Sequence, residues 1–244
     1  MRGVILAGGL GSRLFPLTKV TNKHLLPVGT EPMIYHPIKQ LVSAGITDIL
    51  VITSTVHMGD IVRCLGSGSD FNCQLSYKVQ ETEGGIAHAL LLAEAFSNKQ
   101  KLCVLLADNI FEYSIAPYVN SFKKQKNGAR VLLKSVGDPE RYGVAALDEK
   151  QVLEIQEKPS SPKSSYAVVG LYMYDNEVFE IIRSIEPSER GELEITSVNN
   201  IYIKNNLLKY DICHGRWADA GTHESIIDAN NLLNEINNNI KLWD

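Results

Sequence analysis

The feature that most constrains this chain is a series of continuous apolar runs of strand length, alternating with helical patterns through its first half. Val4-Ile5-Leu6, Ile49-Leu50-Val51-Ile52 and Leu102 to Leu106 contain no charged or hydroxyl-bearing residue. A strand with one face in water alternates apolar and polar residues; a strand apolar throughout is covered on both faces. Between these runs, Met33, Ile34, Ile38, Leu41 and Val42 recur at helical spacing within a helix expected from about Pro32 to Ala44, and Gly45 supplies its stop. The same patterning predicts helices over His57 to Leu65, Ile86 to Phe96 and Ile115 to Lys124, and strands over Leu75 to Val79 and Ala129 to Ser135. The expected fold class is α/β, with a mostly parallel central sheet flanked by helices.

The second half is less regular. Strands are expected at Val144 to Ala146, Val152 to Gln156 and Tyr166 to Tyr174, and helices at Asn176 to Ile185, Leu193 to Lys204 and His223 to Asn234. The polar tail from Asn237 onward is expected to fray. No repeat or linker divides the chain, so residues 1–244 are expected to form a single domain. At 244 residues, 44% of them hydrophobic, such a chain can bury a sizeable core without a disulfide or metal staple.

The net charge of −4 argues against nucleic acid or an anionic membrane as partner, since both call for a basic surface. It leaves room for a small anionic substrate in a locally basic cleft. Cys64, Cys73, Cys103 and Cys213 form no C-x-x-C pair, as in a reduced intracellular protein. No apolar run approaches the ~18 residues of a membrane span, and the run after Arg2 breaks at glycines too early for a signal peptide. A cytoplasmic location is the expectation.

Ligands of open α/β sheets bind beyond the carboxyl ends of the strands. That rule singles out the loop after Leu6, the segment after Val79, and Asp108. The first is Gly8-Gly9-Leu10-Gly11-Ser12-Arg13, whose glycines allow backbone amides to approach phosphate oxygens. It is not a dinucleotide fingerprint, because the last position counted from Gly9 is Leu14, and it lacks the Gly-Lys-Ser/Thr ending of a P-loop. Arg13 and Lys23 add cations; either alone is more often a solvated surface charge, but beside this loop they form a candidate triphosphate clamp.

Leu6-Ala-Gly-Gly-Leu-Gly-Ser-Arg-Leu14 followed by Lys23-His-Leu-Leu-Pro27 resembles the signature of the sugar-1-phosphate nucleotidylyltransferases. The resemblance continues through Tyr77-Lys-Val-Gln80, Asp108-Asn-Ile-Phe111, Asp138-Pro-Glu-Arg-Tyr-Gly-Val144 and Glu157-Lys-Pro159. It extends to Tyr166-Ala-Val-Val-Gly-Leu-Tyr172, Arg190-Gly-Glu-Leu-Glu-Ile-Thr196 and Trp217-Ala-Asp-Ala-Gly-Thr222, so it covers nearly the whole chain. It implies a Rossmann-like nucleotidyltransferase fold, with a nucleotide-binding half over about 1–125 and a sugar-phosphate-binding half over about 126–240. It also implies attack by a sugar-phosphate oxygen on the α-phosphorus of a nucleoside triphosphate. Within the family the likeness is greatest to the thymidylyltransferase branch, which implies dTTP and glucose 1-phosphate as substrates and a product that feeds dTDP-L-rhamnose synthesis.

The residue roles follow from the same resemblance. Leu6, Gly8, Gly9, Gly11 and Ser12 would shape the nucleotide loop, with Arg13 on the leaving phosphates and Lys23 on the nucleotide phosphates. Gln80 and Gly85 would read the base. Asp108 and Asp219 would bind magnesium (Mg2+), which takes one or two protein carboxylates and completes its shell with water and phosphate oxygens. Tyr142, Gly143, Glu157, Lys158, Val168 and Arg190 would form the sugar-phosphate side, Lys158 binding the 1-phosphate. Arg13, Lys23 and Lys158 are the expected catalytic groups, acting by positioning and charge neutralisation.

Two departures stand out: His24, where glutamine is usual, and Ser12, where threonine is usual. Longer relatives carry a further C-terminal segment that helps build an allosteric site and subunit contacts, so feedback regulation is in doubt. A homo-oligomer, dimer or tetramer, is expected. UTP rivals dTTP, because a single methyl supports only roughly 1–3 kcal/mol of discrimination. A non-catalytic nucleotide-binding subunit would be expected to have lost its charged groups, whereas this chain keeps Arg13, Lys23, Asp108, Lys158 and Asp219.

Overall fold

The continuous apolar runs are the inner strands of one sheet. In the computed structural model, which describes residues 1–149 and 151–241 (side chains of 237–241 excepted), β1 (Arg2–Ala7) lies at the sheet's heart. After it come the short pair β2 (Pro27–Val28) and β3 (Glu31–Pro32), then β4 (Asp48–Ser54), β5 (Gln74–Gln80), β6 (Leu102–Leu106) and β7 (Asn109–Phe111). The second half supplies β8 (Ala129–Ser135), β9 (Gly143–Leu147), β10 (Val152–Glu157), β11 (Tyr166–Tyr174), β12 (Leu208–Ile212) and β13 (Trp217–Asp219). Helices α1 (Tyr35–Ser43), α2 (Met58–Leu65), α3 (Gly85–Leu91), α4 (Glu94–Ser97) and α5 (Ala116–Lys124) connect the first strands. Helices α6 (Val178–Ser184), α7 (Ile195–Lys204) and α8 (His223–Lys241) follow.

The main sheet has nine strands, ordered β10-β9-β11-β6-β1-β4-β5, with β8 on β11 and β12 on β8. Strands β5, β4, β1 and β6 are parallel, as the alternation of strands with helical crossovers calls for; β1, β4 and β6 carry the continuous apolar runs, while β5, at the sheet's edge, alternates. Alternate residues of β1 pack into different cores: Val4 and Leu6 on one face, Ile5 and Ala7 on the other. At β11 the sheet changes sense, pairing antiparallel with β6, β8 and β9. The Rossmann-like α/β architecture therefore stands, parallel through the first half and largely antiparallel beyond β11. One sheet runs through both halves.

Several boundaries differ from expectation. The helix expected over Ile86 to Phe96 is two helices, α3 and α4, because the amides of Leu92 and Ala93 bond three residues back, to Ala89 and Leu90, and tighten the turn between them. The last helix reaches Lys241, so the tail expected to fray from Asn237 is helical that far; residues 242–244 lie outside the described set. Strands β7, β12 and β13 were not expected. β12 carries Lys209, Tyr210 and Asp211 at a sheet edge, where polar residues are tolerated, and Asp211 is paired with Arg130 at 2.7 Å. Among the described residues no helix is long and apolar enough to cross a membrane, and all four cysteines are free.

Candidate active site

Parallel pairing in register brings the carboxyl ends of β1, β4, β5 and β6 to one edge. Leu6 is opposite Leu106, and Gln80 is opposite Ser54. The glycine loop, Gln80 and Asp108 therefore emerge together. Asp219 joins them because β13 pairs antiparallel with β7, Asp219 opposite Asn109, and the amide of Ala220 donates to the Asp108 carbonyl at 2.8 Å.

Two cavities adjoin at this edge. One, of about 360 Å³, is lined by Leu6, Gly8, Gly9, Lys23, Gln80 and Gly85 among others. The other, of about 220 Å³, is lined by Tyr142, Gly143, Glu157, Lys158, Val168, Arg190 and Asp219 among others. Arg13 and Asp108 line both. Gly11 and Ser12 line neither. Gly11 shapes the loop instead, at φ 67° with the Thr18 hydroxyl donating to its carbonyl at 2.9 Å, and Ser12 is exposed.

Close packing explains the glycines. A Cβ on Gly8 would meet Gln80 Oε1 at 2.8 Å, and one on Gly85, whose φ is 89°, would meet the Leu193 carbonyl at 2.7 Å. Lys23 Nζ lies 2.5 Å from Asp108 Oδ2, with both side chains 12% exposed. Burial alone would raise the Asp108 carboxyl. The Lys23 charge and the hydrogen bonds from Lys23 and Asn109 outweigh it and hold this carboxyl well below the usual range. Desolvation, with the Asp108 charge beside it, pushes Asp219 the other way, up to about 6. No described residue donates a hydrogen bond to the Asp219 carboxylate. Two carboxylates in one cleft, one repelled by the other and lacking a donor, suit a divalent cation. His24 is buried, and burial pushes it down to about 3, so it is neutral at ordinary pH.

The sugar side is organised by a different set of contacts. Thr196 Oγ1 donates to Glu157 Oε2 at 2.5 Å. Lys158 holds the left-handed conformation, φ 43°, while its amide donates to the Tyr142 carbonyl at 2.9 Å. A non-glycine residue strained in this way at a cleft is a pattern of functional sites. Arg190 is bound to Glu192 at 2.8 Å and Glu194 at 3.0 Å, so it orders the wall as well as facing the cavity. The Tyr142 ring meets Trp217 edge to face at 5.3 Å, and burial pushes its hydroxyl up to about 12.

Sequence reasoning gave no role to Asn109, Thr196, Glu192, Glu194 or Trp217. Asn109 is buried, donates to Asp108 Oδ1 at 3.0 Å, and accepts from the Gly170 amide at 2.8 Å and Trp217 Nε1 at 2.7 Å. A signal for it was present: Gly170, in the middle of an apolar strand, marks a close approach. A Cβ there would meet Asn109 Oδ1 at 2.5 Å.

The profile of the nucleotidyl transferase family matches residues 2–236. The chain belongs to the nucleotidyl transferase family. It is 43% identical over 243 residues to a glucose-1-phosphate thymidylyltransferase of Neisseria meningitidis, covering 98% of this chain and 84% of that one. With the Mycolicibacterium smegmatis glucose-1-phosphate thymidylyltransferase it shares 42% over 240 residues, 97% and 83% of the two chains. A Bacillus anthracis structure solved with sucrose, provisionally described as a glucose-1-phosphate thymidylyltransferase, superposes with a TM-score of 0.92 at 56% identity over 95% and 94% of the chains. A UDP-glucose pyrophosphorylase complexed with UDP-glucose shares the fold, with a TM-score of 0.85 at 24% identity over 96% and 98%. The chain is thus a nucleotidyltransferase enzyme, and enzymes of this kind generally use a divalent metal.

Proposed function

We propose that this nucleotidyltransferase joins dTTP and α-D-glucose 1-phosphate to give dTDP-glucose and pyrophosphate, a product suited to dTDP-L-rhamnose synthesis. The observation that carries the reading is the pair of adjoining cavities sharing Arg13 and Asp108. One is lined by Gln80 and Gly85; the other has a carboxylate and a lysine at Glu157 and Lys158. The relatives' names supply the substrate pair.

In the reaction a phosphate oxygen of the sugar phosphate attacks the α-phosphorus, a new P–O bond forms, and the bond to the β-phosphate breaks. The pyrophosphate leaves in line with its electron pair. The nucleophile comes from the substrate, so the protein's contribution is alignment and charge. Lys158 holds the 1-phosphate and Glu157 accepts from sugar hydroxyls, its own geometry set by Thr196. Arg13 and Lys23 bind the triphosphate, and the glycine loop admits it. Asp108 and Asp219 would hold Mg2+, which supplies charge neutralisation at the phosphates.

We also propose one functional unit, its nucleotide half over about 1–125 and its sugar half over about 126–240, on the ground that one sheet spans both. A cytoplasmic homo-oligomer completes the reading, supported by free cysteines and by exposed Phe15, Val20 and Ile227. Gln80 keeps UTP as the second reading, since uracil and thymine present the same hydrogen-bonding edge. The deciding experiment is pyrophosphate release with Mg2+ across dTTP, UTP, CTP, ATP and GTP against several sugar 1-phosphates. A preference for dTTP and glucose 1-phosphate is expected. Preference for another pair changes the substrate, and silence from folded protein overturns the reading.

A further inference from the structure

The side chain that meets the base end of the cavity is itself held by a residue that lines neither cavity. Gln80 Nε2 faces two groups on the neighbouring helix: the Gly85 carbonyl at 3.4 Å and His88 Nδ1 at 3.1 Å. The carbonyl can only accept, so the nitrogen end of the amide must be the one turned toward it. His88 Nδ1 is then the acceptor. The other end of the amide, Oε1, lies over Gly8, where an added Cβ would meet it at 2.8 Å. Gln80 and Gly8 both line the nucleotide cavity, and no described residue donates to Oε1. His88 has its place because Gly84 has no side chain: a Cβ there would meet His88 Nδ1 at 2.5 Å. The turn carrying it is tied down by the Leu193 amide, which donates to the Gly84 carbonyl at 2.8 Å.

We propose that His88 is a specificity-determining positioning residue: it fixes the amide of Gln80 so that an acceptor, not a donor, faces the pyrimidine. The proposal rests on the reading of Gln80 as the base-reading group. Thymine and uracil carry N3–H and donate to Oε1. Cytosine carries a lone pair at N3, which meets the same oxygen as acceptor against acceptor. A site built to pair one polarity rejects the other strongly, because a buried polar group is left unpaired. Without His88 the amide is held in that sense only by the long contact to Gly85. Rotation by half a turn would then present Nε2 and suit cytosine.

The test compares kcat/KM for dTTP and dCTP, in full-length protein with saturating glucose 1-phosphate, for the parent and three variants. His88→Leu removes the acceptor and is expected to cut the dTTP:dCTP ratio about tenfold, mainly through KM for dTTP. His88→Gln offers a side-chain carbonyl to Gln80 Nε2 and is expected to restore the ratio to within about threefold of the parent. A merely structural role for His88 would lower kcat for both nucleotides together and leave the ratio unchanged, so an unchanged ratio in His88→Leu overturns the proposal. Gln80→Met separates the two claims. If it abolishes the ratio while His88→Leu retains it, the positioning role alone falls; if it too retains the ratio, the reading of Gln80 falls.

Discussion

Lys23 in the nucleotide half and Lys158 in the sugar half both line the cleft, but the chain holds them by different means. Lys23 is 12% exposed and lies 2.5 Å from Asp108, whereas Lys158 is 49% exposed and 3.9 Å from Glu157. The first cation is fixed by a buried charge partner, which is itself oriented by Asn109. The second is aimed by its backbone, through a left-handed φ and a hydrogen bond to the Tyr142 carbonyl. A buried pair couples function to folding, because neither charge tolerates loss of the other. A backbone-aimed exposed cation leaves folding largely untouched.

The largest expected effect tests that contrast directly. Asp108→Asn and Lys158→Ala should each reduce turnover on the order of a hundredfold or more, as loss of a transition-state contact does. Their stabilities should part. Asp108→Asn strands Lys23 and should cost about 3–5 kcal/mol in urea unfolding, while Lys158→Ala should stay within about 0.5 kcal/mol of the parent. Equal losses of stability would break the contrast, and near-normal turnover in both would remove the site assignment.

The same contrast explains what could be read beforehand. The nucleotide edge was legible because the apolar runs of β1, β4 and β6 mark central strands and their alternation with helices calls for parallel crossovers, which puts the loop after Leu6, Gln80 and Asp108 at one edge. Asp219 was not placed by any local pattern. It reaches Asp108 through a three-residue strand paired across the length of the chain, and only the family resemblance indicated it. The change of sheet sense at β11 was hidden for a related reason: a strand buried on both faces looks alike whether its neighbours run parallel or antiparallel. The carboxylates that order Arg190, Glu192 and Glu194, stand in a charged stretch whose pairing no local pattern specifies.

Gly170→Ala should give the next largest effect and shows whether the nucleotide side tolerates any loosening. The added Cβ would meet Asn109 Oδ1 at 2.5 Å and push it from the Gly170 amide, Trp217 and Asp108. Overpacking of this kind should cost about 1–3 kcal/mol, with turnover lowered about tenfold. Unchanged turnover would mean that Asn109 is not needed to orient Asp108.

His24 extends the contrast to pH. Its ring is held at about 3 in the folded protein, against an ordinary value of 6.5, so below pH 6.5 the unfolded chain takes up a proton that the folded chain refuses. Stability from this source is complete above pH 6.5 and falls by about 1.4 kcal/mol per pH unit beneath it. Asp219, raised to about 6, works in the opposite sense between its ordinary value and that pH, but it is common to parent and variant. His24→Gln should therefore lose about 1 kcal/mol less than the parent between pH 7 and 5.5 in urea unfolding. Equal losses would show that the ring can charge where it stands.

Thr196→Val acts on binding rather than on folding and is the sharpest probe of the sugar side. The hydroxyl donates to Glu157 Oε2 at 2.5 Å, and valine keeps the branched shape of the side chain while removing that donor. Losing one hydrogen bond to a charged group should cost about 1–2 kcal/mol of binding, a rise of roughly tenfold in KM for glucose 1-phosphate. KM for dTTP should not move, since Thr196 lines the sugar-side cavity and not the nucleotide one. A rise in both constants would show that the two cavities, joined at Arg13 and Asp108, are coupled through the sugar wall as well.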